Sequence, residues 1–350
     1  MFSFFSHKEK EGTTLILEIQ SGLVRGAIVK NTYPKPEFLA RHSAPITINT
    51  EKTSAYITKV MLRSLSEVTK VLTRKHYVDS VHIVLSSPWA LSHSKQVKLN
   101  FAVDTAVNST MVYRIVEEEK NNVKHKEDVI FIEKKIFEIK LNGYSVSNFE
   151  GRMTRELGVS FATTISSHKL LNKIHSTLER SFKVRKIQYH SSLLLDYIAL
   201  GKIFTNRSDY IYVHSHSELT DIVIVRSGMC THISSFPIGT ASLMRKVAES
   251  TNQSDESADS LLNMVQRDTI SKPEYTKLLP TLDIYFKEWF SHFESLVDKK
   301  TSPRFVYVAS HAYLNVFRKR FEEVLGNEYT IHPFEPDTME LYSIALQDML

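Results

Sequence analysis

Residues 209–239, DYIYVHSHSELTDIVIVRSGMCTHISSFPIG, constrain this chain more than any other stretch. Residues 210–214 and 220–226, rich in Tyr, Ile and Val, and residues 231–236, with Thr231, Ile233 and Phe236, read as three strands. Polar breaks, including a tight turn at Ser227-Gly228, separate them. Pro237-Ile238-Gly239 then opens a helix. Strands joined by short turns can only be antiparallel neighbours, so the segment predicts a meander feeding directly into a helix. Residues 14–29 repeat the theme in brief, as two strands around Ser21-Gly22.

The rest of the chain suits an α/β protein. Apolar residues at helical spacing run from Ile57 to Leu72, and a strand follows over 78–85, bounded by Ser86-Ser87-Pro88. Between residues 87 and 164 the pattern changes. A strand-like stretch at 100–107 precedes a charged helix over 112–126, then strands at 129–132 and 136–141 meeting the turn Asn142-Gly143, and a strand over 158–165. A helix over 169–182, a strand over 184–189 and a helix over 191–200 lead into the meander. Beyond it, helices are predicted over 240–250 and after the cap Ser254, with Asp255 and Glu256 in its first turn. Leu278, Leu282, Tyr285, Phe286, Trp289, Phe290, Phe293 and Leu296 mark a long helix whose aromatic stripe belongs to a core. A strand from Phe305, a helix over 316–325 and a last helix over 338–349 complete the order.

Composition narrows the function classes. At 350 residues, with 42% apolar and 24% charged side chains, the chain can bury one large or two medium cores. No apolar run is long enough to span a bilayer, and no signal peptide opens the chain. The single cysteine, Cys230, excludes a disulfide within the monomer and reads as a small core residue of a reducing compartment. The net charge is +5, yet lysines and arginines are spread along the sequence without a basic block or aromatic platform, so a nucleic-acid partner is not expected. Phe2, Phe4 and Phe5 ahead of Lys8 and Lys10 would give residues 1–10 only a weak peripheral membrane contact, and a frayed terminus is the plainer expectation.

The meander resembles the second phosphate loop of the actin-like ATPase superfamily, whose pattern is Asp-Ile-Gly-Gly-Gly-Thr-Thr-Asp. Thr220-Asp221-Ile222 keeps its end, whereas His214 stands where that family has its first aspartate, and His216, Ser217 and Glu218 where it has glycines. The opening hairpin looks like the first phosphate loop, Asp-Ile-Gly-Ser/Thr-Ser-x-Val-Lys, with Glu18 in place of the aspartate and Gln20 in place of the first glycine. Ala309, Ser310 and His311 occupy the junction where the family's glycines make room for adenosine, and His190-Ser191 falls where it carries an acidic residue. The block from Lys134 to Ser167, KKIFEIKLNGYSVSNFEGRMTRELGVSFATTISS, is similar to the subdomain inserted in the branch containing FtsA and PilM.

The resemblance implies an α/β, actin-like (ribonuclease H-like) two-lobed fold with a small inserted α+β subdomain. Residues 1–86 and 165–200 would form the first lobe, 87–164 the insert and 201–335 the second lobe, with 336–350 a closing helix returning to the first. It places a degenerate nucleotide cleft at Glu18, Ser21, Gly22, Thr220, Asp221 and Gly239. With both phosphate loops and the adenosine junction altered, no cofactor is expected, Mg-ATP being disfavoured, and neither a catalytic residue nor a metal site. The expected function is that of a non-catalytic cytoplasmic scaffold laid out like PilM. It would dock a short cytoplasmic peptide of a membrane protein between the first lobe and the insert, at a type IV pilus or secretion-type machine on the inner face of the membrane. The alternatives are an FtsA-like division protein that self-associates into filaments, against which the lack of an amphipathic tail after the last helix counts, and a weak ATPase. The ATPase would retain Glu18, Ser21, Thr220 and Asp221 and recruit His190, His214 or His216. His214 and His216 share one strand face, but no third metal ligand accompanies them.

Overall fold

A computed structural model describes residues 12–30, 32, 36–47, 53–123, 128–183, 186–298, 300–335 and 337–347. The aromatic start at Phe2, Phe4 and Phe5 lies outside them. The chain opens with a meander, β1 (Thr13–Ile19), β2 (Leu23–Lys30) and β3 (Glu37–Pro45), followed by α1 (Ser54–Thr73) and β4 (Ser80–Leu85). An inserted block then runs through β5 (Ala90–Ala106), α2 (Ser109–Val123), β6 (Val129–Leu141), β7 (Tyr144–Ser145) and β8 (Met153–Ser167). The chain returns through α3 (His168–Glu179), β9 (Ile187–Ser191) and α4 (Ser192–Ile203).

A second meander, β10 (Tyr210–Ser215), β11 (Thr220–Arg226) and β12 (Met229–Phe236), leads into α5 (Thr240–Thr251), α6 (Asp255–Gln266) and α7 (Lys272–Leu296). Then come β13 (Phe305–Ser310), α8 (Leu314–Leu325), β14 (Thr330–Pro333) and α9 (Thr338–Leu346). Among the described residues the strands form three sheets, ordered β3-β2-β1-β4-β9, β12-β11-β10-β13-β14 and β5-β8-β6-β7. The first two have one topology. In each, the leading strand pairs antiparallel with its hairpin partner on one side and parallel with a strand reached through helices on the other.

Strand alternation decides what each lobe packs. Leu15, Leu17 and Ile19 of β1 join Met61, Leu65 and Val68 of α1 and Leu171 and Ile174 of α3. Ile16, one residue out of phase, joins Leu195 and Ala199 of α4 and Tyr342 and Leu346 of α9 on the opposite face. With helices on both faces, β1 is buried almost throughout. In the second lobe Ile211 and Val213 meet the aromatic stripe of α7, where Tyr285, Trp289 and Phe293 are fully buried. Tyr210 and Tyr212 turn the other way, against Leu193, Leu194 and Leu200 of α4 and Ala162 of the insert. Thus α4 lies between the lobes, which is why SLLLDYIAL is apolar nearly all round.

Several local expectations match the structure. β11 covers residues 220–226, Ser254 caps α6, and the turns at Asn142-Gly143 and Ser227-Gly228 have positive φ at both central residues. Others differ. β5 is 17 residues long rather than the short stretch at 100–107, because its alternation of charged and apolar residues extends back to Ala90 on a half-exposed sheet. β3 and β14 carried too few buried positions to stand out, since both are edge strands.

Candidate functional site: a closed interlobe cleft

The six cleft residues singled out from sequence lie on or beside the two hairpin turns and the start of α5, where the lobes face each other. Glu18 shares the parity of Ile16, so its carboxylate points toward α9 and is fully buried. It accepts hydrogen bonds from Gln20 Nε2 (2.7 Å), the Tyr342 hydroxyl (2.7 Å) and the Thr338 hydroxyl (3.1 Å). Directly across the β1–β2 ladder, Arg25 Nε stands 3.0 Å from Glu18 Oε2, while its Nη1 donates to Thr338 Oγ1 (2.9 Å). Both Glu18 oxygens are therefore engaged within the protein, two of the partners being on α9. Burial and the Glu18 charge in turn raise the Tyr342 phenol well above its usual range.

Asp221 is held the same way. Its cross-strand neighbour Ser235 donates to Oδ1 (2.6 Å), and His216 Nε2 lies 3.0 Å from Oδ2. Thr220 does not face the cleft: its hydroxyl donates to the Ile238 carbonyl (2.7 Å) and accepts from Trp289 Nε1 (3.1 Å), fastening the meander to α7.

The two loops that would clasp a phosphate instead touch each other. The Glu218 N–H donates to Ser21 Oγ (3.1 Å), and a Cβ at Gly22 would overlap the Ser217 side chain. At the start of α5, the Thr240 and Ala241 N–H groups donate to the carbonyls of His216 (2.9 Å) and Ser217 (2.7 Å). Such first-turn donors are what a helix offers an anion, and here the chain itself takes them. Gly239 permits this close approach, since a Cβ there would overlap the backbone of His216, Ser217 and Leu219. Glu218 is anchored by a two-pronged ion pair with Arg245 (2.8 and 2.7 Å).

Between β13 and α8, the His311 N–H donates to the Ser215 carbonyl (2.8 Å) and the Asn315 N–H near the start of α8 donates to Gln266 Oε1 (2.7 Å). A cavity of about 250 Å³ remains, lined by Arg25, His214, Gln266, His311, Tyr313 and Thr338 among others.

Sequence reasoning passed over Asp196, a buried acid on α4. Burial, then the charges of Glu18 and Asp221, push its carboxyl well above the ordinary range. His214 Nδ1 lies 3.8 Å from Asp196 Oδ2 and 3.2 Å from the Tyr212 hydroxyl, and burial, then His216 and Arg25, hold the imidazole well below its usual pKa. The signal was available, as one acid in the otherwise apolar run of α4. His214 and His216 do stand together, with ring centroids 4.0 Å apart, yet no group of three metal-ligating side chains converges among the described residues. His190 sits elsewhere, at the junction with the insert. Its Nε2 is 2.9 Å from His82 Nδ1 and its Nδ1 is 3.5 Å from Glu133 Oε1 of β6, while the neighbouring Ser191 N–H donates to Glu133 Oε2 (2.8 Å). Cys230 is buried, with its thiol pushed up to about 12 by burial, and is inert at neutral pH.

No protein-family model and no curated protein matches this chain. Solved structures do. A chain of the PilM-PilN type IV pilus biogenesis complex superposes with a TM-score of 0.66 at 13% identity, covering 95% of this chain and 96% of that one. A Bacteroides thetaiotaomicron protein with actin-like ATPase fold and unknown function gives 0.46 at 9% identity, over 97% and 99%. The ethanolamine utilization protein EutJ from Carboxydothermus hydrogenoformans gives 0.49 at 11% identity, over 96% and 89%. The fold is that of the actin-like ATPases: two lobes of the same sheet topology, with a small α+β block inserted in the first. Among the described residues no helix is long and apolar enough to cross a membrane.

Proposed function

We propose that this protein is a non-catalytic actin-like scaffold of the PilM type, which works by holding a short cytoplasmic segment of a membrane assembly protein rather than by turning over ATP. The observation that carries the reading is the contact between the two phosphate loops. Ser21 and Gly22 meet Ser217 and Glu218, and the first N–H groups of α5 are bonded to that same loop. Phosphoryl transfer depends on backbone donors and metal-orienting acids aimed at the phosphate, and in this cleft Glu18, Asp221 and the Glu218, Thr240 and Ala241 N–H groups are bonded within the fold. The surface offered to a partner is a cleft of about 580 Å³ between Lys95, Phe137 and Phe161 of the insert and Met229, Thr231 and His232 of β12, so it opens toward the second lobe and not, as expected from sequence, between the insert and the first lobe.

Calorimetric titration of the protein with Mg-ATP, beside Asp221→Ala, tests the non-catalytic half. No binding heat up to millimolar nucleotide is the expected result; micromolar affinity lost in the variant would overturn it. Titration with a synthetic PilN-type cytoplasmic segment tests the docking half, with saturable binding expected and its absence counting against a PilM-type role.

A further inference from the structure

α1 and α3 lie side by side on the outer face of the first lobe, and their packing buries one stripe of each: Met61, Leu65, Val68 and Leu72 of α1, and Leu171, Ile174 and Leu178 of α3. The flanking stripes form the banks of a groove of about 710 Å³. Along α1 its lining runs from Ala55 to Lys70 at helical spacing, a length of about 22 Å. Between the charged residues the lining includes Ala55, Thr58, Leu62, Ser66, Ser176 and Thr177. Thr58 and Thr177 return their hydroxyls to the carbonyls of Ser54 (2.8 Å) and Lys173 (2.8 Å), so these two ask for no polar partner.

The banks carry Lys59, Arg63 and Lys70 from α1, Lys173 from α3 and Arg180 at its C-terminal cap, all exposed. Among the described residues none of the five has an acidic partner, and none of the residues lining the groove is acidic. The nearby acids are turned to histidines: Glu67 Oε1 is 3.9 Å from His42 Nε2, and Glu179 Oε2 is 3.3 Å from His175 Nδ1. The whole chain has a formal net charge of +5, so one groove gathers as many unopposed cations as the entire protein has in excess.

We infer that the α1–α3 groove is a docking site for an acidic segment of a partner protein, laid along the groove as a helix or extended strand. Charge complementarity selects the acidic chemistry. Concavity selects a single chain over a membrane plane, because a flat surface would rest on the rims and leave the floor unfilled. The groove contains no residue of the insert or of the interlobe cleft, so this site goes beyond the proposed scaffold reading and stands apart from it. Neighbouring cations of one sign in a groove reinforce each other's field, giving salt-sensitive recognition with fast association.

Fluorescence anisotropy of a labelled acidic peptide of about 16 residues, with glutamate at every third or fourth position, tests the inference. The protein is compared with the double reversal Arg63→Glu plus Lys173→Glu, and with Lys272→Glu plus Lys277→Glu on the exposed face of α7, which changes net charge equally. All four positions are exposed, so the variants keep the fold, checked by circular dichroism. The expected result is affinity that falls with salt, drops at least about tenfold in the groove variant and changes less than about twofold in the α7 variant. Equal losses in the two variants, no binding by the parent protein, or groove-dependent binding of phosphatidylglycerol vesicles in place of the peptide would each overturn it.

Discussion

The interlobe cleft and the α1–α3 groove hold charged groups under opposite conditions. In the cleft, Glu18, Asp221 and Glu218 each face a cation, an imidazole or a hydroxyl of the same chain. In the groove, five cations face water. Burying a charge costs so much that it must be answered inside the fold, and a group answered inside has little left for a ligand. An exposed charge carries no such obligation. The charges of the interlobe cleft are answered by the chain itself, whereas those of the surface groove are not.

The comparison breaks first at Glu18. Glu18→Ala removes the acid and leaves Arg25, Tyr342 and Thr338 without it, and chemical denaturation should show a loss of about 3–5 kcal/mol. A loss below about 1 kcal/mol would mean that the carboxylate is free for other work.

Acid tests the second buried network, at the junction with the insert. Burial, then His190 and Lys186, lower His82 from 6.5 to about 4. Above the unfolded value the imidazole is neutral in both states and contributes nothing. As pH falls from 6.5 toward 4, the unfolded chain binds the proton first and stability is lost, by up to about 3 kcal/mol. Unfolding midpoints across that range should fall more steeply for the parent protein than for His82→Gln; parallel curves would remove His82 from the account.

Gly239→Ala probes the closed loops themselves. A methyl group there meets the backbone of His216 and Ser217, so a cost of about 1–3 kcal/mol is expected. If stability is unchanged, the loops part without resistance and the cleft is not closed. The smallest effect belongs to the groove: Arg63→Glu plus Lys173→Glu should alter folding stability by no more than about 0.5 kcal/mol while weakening the acidic peptide, since neither cation has a partner to lose. A larger stability loss would show that the groove's charges serve the fold.

Much of the architecture could be read locally. β11, the Ser254 cap, the aromatic stripe of α7 and the two turns with positive φ each depend on residues within a few positions of one another. The bulky, polar character of the β10–β11 turn was legible too, as His216, Ser217 and Glu218. What these residues do was not. Glu18 binds Tyr342 and Thr338 from the far end of the chain, and Asp196 enters the cluster because α4 is caught between the lobes. His190, placed by sequence near the nucleotide chemistry, belongs to a different network with His82 and Glu133.

The sequence by itself determined the periodicities and the turns, because those follow from steric and hydrogen-bonding rules acting within one or two turns of chain. Only the tertiary structure decided which buried charge answers which, and that Lys59, Arg63 and Lys70 share a groove with Lys173 and Arg180. Both depend on how helices distant in sequence settle on a common sheet, where packing rather than local preference fixes the neighbours.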